Sequence, residues 1–595
     1  GNPLFVEQLT SMLIDGGRIV RRGGRWEAAG GLEGIAIPPT VEAILAARVD
    51  DLPADERAVL EPASVIGRDF SRDAVEALAA EPLRTDVDVH LDALAGRQLV
   101  AEIPGAWPFD HRFHHHMIRD VTYDGLLKRA RAELHERVVA WAEESGLATE
   151  HATELEEVLG YHLEQAHRYR SELGPLDAHG VELGRRAATM LGAAGRRSLT
   201  RGDMPTAANL LRRAAASLPQ DDPQVPRLLV QVGEAEMEMG GFAEADATLA
   251  SASRLAGAAG AGGLAAIADL ERVRMGYLTG SGGDEREVAA AAADAVRLFG
   301  EVGDDEGLAR AWRLATYVEM TRCQWGEAER AAGTMIDHAR RAGETLMVTR
   351  ALPALAIFIL CGPTEVREAI RRCEEILDDV AGDRRATALT ARARAHLLAM
   401  RGDFAAAREA YGRTRAALGE LGWHFDAALV SLDSGPIEML AGDPAAAEAE
   451  LRRDYEALER MGERNYISTT AALLAEALYR QGRLDEAEGF AATSREIADE
   501  DDVVIQVVWR SVAGKVLSRR GEPAEGEAMC REAVALIEAT DDLCTHADAR
   551  VALAEALWVA GDGPGARAEL MRAVALYDSK GNAVAGRRAR ALIGR

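Results

Sequence analysis

Four histidines fall within six residues, His111, His114, His115 and His116, and imidazoles are good ligands for zinc and related ions. The stretch Phe109, His111, Phe113, His115 alternates like a strand, which sends His114 and His116 to the opposite face, so no shared ion and no metal site is expected. The five cysteines, Cys323, Cys361, Cys373, Cys530 and Cys544, are odd in number and lack Cys-x-x-Cys spacing. Neither a zinc cluster nor a disulfide framework is implied, and a reducing cytoplasm fits. Nucleophilic and metal-hydrolytic signatures (Gly-x-Ser-x-Gly, His-Glu-x-x-His) are absent from the sequence. A phosphate-cradling loop is missing as well, because the only Gly-Lys pair, Gly514-Lys515, is followed by Val516 where a Ser or Thr is needed. These residues are expected to carry no catalytic site.

The remaining chemistry is that of binding. The chain holds 8 Trp, 10 Tyr and 10 Phe, and several gather in the middle: Trp312, Tyr317 and Trp325, then Phe358 within the apolar run Leu352 to Ile359. Aromatic side chains are favoured at binding hot spots. Trp312, Tyr317, Trp325 and Phe358 are therefore a candidate surface for a protein or small-molecule ligand, with packing in a locally wider core as the competing role.

What positions them is a repeat. A short turn recurs at Gly202, Gly240, Gly282, Cys323, Gly362, Gly402, Gly442, Gly482, Gly521 and Gly561, at spacings of 38 to 42 residues, each between two helical patterns. Seven residues before the turn stand Gly195, Gly233, Ala395, Gly435, Ala475, Gly514 and Ala554. Five residues after it stand Ala207, Ala245, Ala328, Ala407, Ala447, Ala487, Gly526 and Ala566. A small residue on each helix, twelve positions apart across a tight turn, allows the two helices of a hairpin to approach closely. Ten such units span roughly 178 to 595, and those around Gly282 and Gly362 lack both small residues. The pattern resembles the tetratricopeptide repeat, although that family's period is about 34 residues and its Trp and Tyr positions are mostly absent here. The expected fold is mostly α: a small module followed by a right-handed solenoid of about ten hairpins.

The first 177 residues read differently. Pro3 to Leu13 forms an amphipathic helix ended by Gly16-Gly17, and a hairpin flanks Gly23-Gly24. Helices follow from Thr40 to Asp50, Asp55 to Ile66, Arg72 to Ala80 and Asp86 to Leu94. Then come Leu99 to Ile103, a turn at Pro104-Gly105 and the histidine-bearing strand. Three or so helices closed by a hairpin suggest a winged helix over 37–145, after an end piece at 1–36 and before a linker helix at 146–177.

The segments Gly1-Asn2-Pro3-Leu4-Phe5-Val6-Glu7-Gln8-Leu9, Ile37-Pro38-Pro39-Thr40-Val41, Val65-Ile66-Gly67-Arg68-Asp69-Phe70 and Phe113 to Tyr123 resemble the end of the nucleotide-binding module of STAND signalling ATPases. The likeness is to bacterial members that join this module to a class III adenylate or guanylate cyclase, or to a LuxR-type regulator, and that continue into a tetratricopeptide-like superhelix. The resemblance implies that Pro3 packs against an adenine ring and that His115 senses the phosphates of ADP. ATP or ADP would then belong to the intact parent protein, with no cofactor held by these residues alone. The absence of Met at position 1 reads as a piece of a longer chain, with NTPase and output domains ahead of Gly1. A plain repeat scaffold and a truncated LuxR-type regulator are the alternatives.

Composition narrows the partners. The chain has 69 basic against 97 acidic residues, a net charge of -28, which repels nucleic acid. No apolar stretch approaches the roughly 20 residues that span a bilayer, so no membrane role is expected.

Overall fold

The repeating turn has a simple cause. A helix leaves its last carbonyls unpaired, and a residue with positive φ lets the chain fold back to satisfy them, as in Gly202, whose amide donates to Leu199 O at 3.1 Å while Asp203 N reaches Ser198 O at 3.0 Å. The next residue then starts the second helix: Asp203, Asp443 and Asp562 accept from Thr206 N, Ala446 N and Gly565 N at 3.2, 3.0 and 2.8 Å. The left-handed conformation occurs at Gly202, Gly240, Gly402, Gly442, Gly482, Gly521 and Gly561, and also at Cys323 with φ 54°. Cys323 is thus the turn residue of its unit although it carries a side chain.

The computed structural model describes residues 3–22, 24–29, 40–103, 109–279, 284–463, 465–498 and 502–594. Gly1-Asn2, Gly23, Ile37-Pro38-Pro39, the Pro104-Gly105 turn and the turn at Gly282 lie outside the described residues. Two compact units are present, Gly1–Ala268 and Asp269–Arg595.

In the first unit, helix Pro3–Asp15 and the hairpin β1 (Ile19–Arg22) and β2 (Arg25–Ala28) precede helices Val41–Asp50, Ala54–Ile66, Arg72–Leu78 and Val87–Gly96. A three-stranded antiparallel sheet follows, in the order β3 (Asp69–Phe70), β5 (His111–Phe113), β4 (Val100–Glu102), with Val100 opposite Phe113 and Phe70 opposite His111. The short strand β3, not anticipated, pairs because Phe70 is fully buried against Phe113 and because Arg112 makes a two-pronged contact with Asp69 at 2.5 and 2.7 Å. Leu45, Val59, Leu60, Leu94, Leu99 and Ile118 complete this core. Helices Lys128–Glu144 and Ala152–Leu173 lead into the first two repeat hairpins, 178–216 and 224–258.

Among its described residues the second unit contains seven full hairpins between Asp305 and Lys580 and a solitary last helix, Ala583–Ile593. Across both units the small residues do what their spacing implies. All the alanines of the two series, from Ala207 to Ala566, are fully buried. A Cβ at Gly195, Gly233 or Gly435 would meet the side chain of Leu211, Leu249 or Leu451 at 2.7 to 2.8 Å, so the leucine nine residues after the turn fills the space a side chain would take. The fold is mostly helical and solenoid-like. No helix among the described residues is long and apolar enough to cross a membrane.

Candidate functional site

In the first unit, His115 sits where a strand gives way to a helix. The strand expected to reach His115 stops at Phe113, because His115 serves as N-cap of helix His116–Gly125, its Nδ1 accepting from Met117 N at 3.2 Å. A ring nitrogen that accepts must be unprotonated, which leaves a neutral ring with its proton on Nε2. Burial, with His116, Arg68 and His114 nearby, holds the His115 pKa below its ordinary value and agrees with that tautomer. His114 and His116 are exposed, and no group of three metal-ligating side chains occurs among the described residues. Beside His115, His116 lines a cleft of about 870 Å³ between helices Val41–Asp50, Ala54–Ile66 and His116–Gly125. Glu42, Asp50, Glu61, Asp120 and Asp124 line it too, against the single guanidinium of Arg57, so its field favours cations over phosphate.

Pro3 is the first residue of helix Pro3–Asp15. That helix is held by Arg48, whose buried guanidinium contacts Gln8, donates to Asp15 Oδ2 at 2.9 Å and reaches Arg97 O at 2.6 Å. Nothing in the sequence marks Arg48, because its partners lie 33 to 49 residues away, two on the first helix and one after helix Val87–Gly96.

The aromatic group of the second unit divides. Phe358 is buried and stacks on Trp325, with ring centroids 6.0 Å apart, in a core cluster against which Trp312 also packs. Tyr317 is half-buried on helix Asp305–Thr321. A second aromatic pair that sequence reasoning missed is exposed: Phe425 and Tyr466, 43% and 38% accessible, meet edge to face at 5.9 Å. They come from different repeats, and only the stacking of those repeats brings them together. Tyr317, Arg392, Glu463 and Asp426 are all near neighbours of Tyr466, so Tyr317, Phe425 and Tyr466 share one region. Such a surface, aromatic with charged neighbours, suits a peptide or protein segment.

A family profile for the tetratricopeptide repeat matches residues 469–493 and 547–572. Both matches centre on units whose two small positions are alanines, Ala475 with Ala487 and Ala554 with Ala566. No curated protein matches the chain. Among solved structures it is similar to the yeast Tom70, at 11% identity and a TM-score of 0.33, covering 76% of this chain and 96% of that one. Another is a STAND protein with a tetratricopeptide repeat sensor from Pyrococcus horikoshii, at 12% identity and a TM-score of 0.29, covering 96% of this chain and 67% of that one. A third is the apo form of the quorum sensor NprR from B. thuringiensis, at 14% identity and a TM-score of 0.31, covering 47% of this chain and 77% of that one. The chain therefore carries tetratricopeptide-type repeats, the profile and the hairpin geometry agreeing on their register.

Proposed function

We propose that this chain is the sensor part of a STAND-type signalling ATPase. The repeat array binds a protein segment or small ligand, and the N-terminal module passes that event to an NTPase and an output domain ahead of Gly1. The observation that supports this reading most directly is His115, a neutral helix cap whose Nε2–H is a donor at a strand-to-helix junction, the position the resemblance assigns to phosphate sensing. A nucleotide cyclase is the output the resemblance implies. The switch is a shift between two populations, so the sensed ligand must bind the open state more tightly than the closed one.

The experiment is extraction of nucleotide from the native gene product purified from its own cells. ADP in near-stoichiometric amount, lost on His115→Ala with unchanged helicity, is the expected result. A nucleotide-free product would refute the ATPase reading and leave a repeat scaffold.

A further inference from the structure

In the second unit the repeat array returns to touch itself. The turn at Cys323, between the helices of its fourth unit along the chain, meets a loop more than two hundred residues later. Asp541 caps helix Trp325–Ala342 from outside, accepting from Trp325 N at 2.6 Å and Gly326 N at 2.8 Å, while its own amide donates to Cys323 O at 3.4 Å. Gln324 Nε2 donates to Ala539 O at 2.7 Å. One repeat further, Lys580 is fully buried and its Nζ donates to Ile359 O at 3.0 Å and Gly362 O at 2.5 Å. The last helix continues the line: it packs on helix Arg384–Arg401, and Arg588 donates to Met439 O at 2.7 Å. The loop before helix Leu543–Ala560 and the chain's last two helices thus run along four successive turns, at Cys323, Gly362, Gly402 and Gly442.

Two features set this seam apart from the hairpin cores. First, it replaces local structure. Gly362 has φ -74° and lacks the left-handed cap of its fellows: its amide still reaches Phe358 O, but Ile359 O, which a left-handed turn would satisfy, is taken by Lys580, together with the carbonyl of Gly362 itself. Second, beside apolar contacts such as Val584 over Gly402 and Cys544 against the facing core, it holds buried polar groups that would be hydrated on separation. An ammonium buried against carbonyls regains water when the seam parts. So does the indole Nε1–H of Trp325, which is buried with no hydrogen-bond partner among the described residues. Hairpin interiors bury Ala and Leu side chains, for which separation has no such compensation.

We propose that the last hairpin and the helix Ala583–Ile593 form a clasp that holds the superhelix of the second unit shut. The seam from Cys323 to Gly442 opens as one step, ahead of any hairpin, and that step exposes the concave face to a partner. The inference concerns the second unit alone and is independent of nucleotide binding.

Hydrogen exchange on the full chain at neutral pH tests it. The amides of Trp325, Gly326 and Asp541 should share one protection factor, lower than that of amides inside helices Arg384–Arg401 and Leu484–Ile497. In Lys580→Met that shared factor should fall by about tenfold or more, the weight of a hydrogen bond to a charged group, with the hairpin interiors unchanged. Labelling of Cys323 by a thiol reagent should accelerate in parallel, whereas Cys373 and Cys530, fully buried in hairpin cores, should not respond. Unequal factors at the three amides, equality with the hairpin interiors, or insensitivity to Lys580 would each overturn the clasp. Should Lys580→Met lose helicity, the comparison within the unmodified chain decides by itself, and Asp541→Ala repeats the labelling arm without touching a buried charge.

Discussion

Gly526→Ala is the sharpest test of how the hairpins are packed. In an exposed helix this change stabilises by about 0.5–1 kcal/mol, since alanine loses less backbone entropy on folding. Here the new Cβ would lie 2.2 Å from Ser518 Oγ, 2.4 Å from Gly514 O and 2.8 Å from Ser518 N. Two of these neighbours are backbone atoms of the facing helix, so relief requires the helices Val503–Arg519 and Pro523–Ile537 to separate. Overpacking of this kind costs about 1–3 kcal/mol, and at contacts this short, partly with backbone, it exceeds the propensity gain and leaves a net loss of up to about 2.5 kcal/mol. Gly514→Ala meets Cys530 Sγ at 2.6 Å and Gly526 O at 2.7 Å, and the same loss is expected. Because both substitutions push apart the same pair of helices, the double variant should lose less than the sum of the two singles. Gly489, in a helix with nothing within 4 Å of its Cβ position, supplies the opposite sign: Gly489→Ala should stabilise. Urea midpoints followed by circular dichroism give all four values. If Gly526→Ala matched Gly489→Ala in sign, the close approach of the two helices would be refuted.

Further expectations concern the polar interior. Ala475→Leu and Ala487→Leu, at fully buried positions of one hairpin, should each lose about 1–3 kcal/mol in the same assay. Glu271 is buried with Arg274, Arg310 and Arg313 around it, and Glu271→Gln should destabilise the second unit by about 3 kcal/mol, read as a lower melting temperature, because three guanidiniums lose their shared counter-charge. In the first unit His135 and His162 face each other through their Nδ1 atoms at 2.7 Å, both buried, with Tyr123, Tyr161, Tyr169, Arg119, Arg131 and Arg168 around them. Burial first, then His162 and these cations, push the His135 pKa well below its usual value, and burial with Arg119 pushes the His162 pKa down to about 4. The unfolded chain therefore binds more protons than the folded one below pH 6.5, and stability should fall as the pH drops from 6.5 toward 4. Melting the protein at pH 7.5, 6 and 5 with and without His162→Gln checks this, since the variant should flatten the slope. Cys323→Val places a β-branched residue at φ 54° and should destabilise, whereas Cys323→Gly should change the midpoint little.

The repeat was legible because it is local. A turn residue, a small residue seven before it and another five after it report on one hairpin, and the hairpin forms from contacts between residues about twelve apart. That is why the turn position of Cys323 could be read without a glycine. In the N-terminal module the helices and the hairpin β4–β5 were readable for the same reason, while β3 was not, since two residues carry no period. His115 was expected to be an inward strand residue or a phosphate sensor; its role as a helix cap depends on where the strand ends, which Phe113 and the sheet register decide.

The seam, the buried Lys580 and the sharing of one region by Tyr317, Phe425 and Tyr466 belong to another level. Whether the array meets itself about four to six repeats later depends on a small rotation between neighbouring hairpins, summed along the solenoid. No single unit encodes that sum. The alanines and glycines of the hairpins determine that the chain stacks, and the accumulated twist determines that the stack closes, turning an ordinary-looking lysine into a buried cap and the irregular turn at Gly362 into its socket.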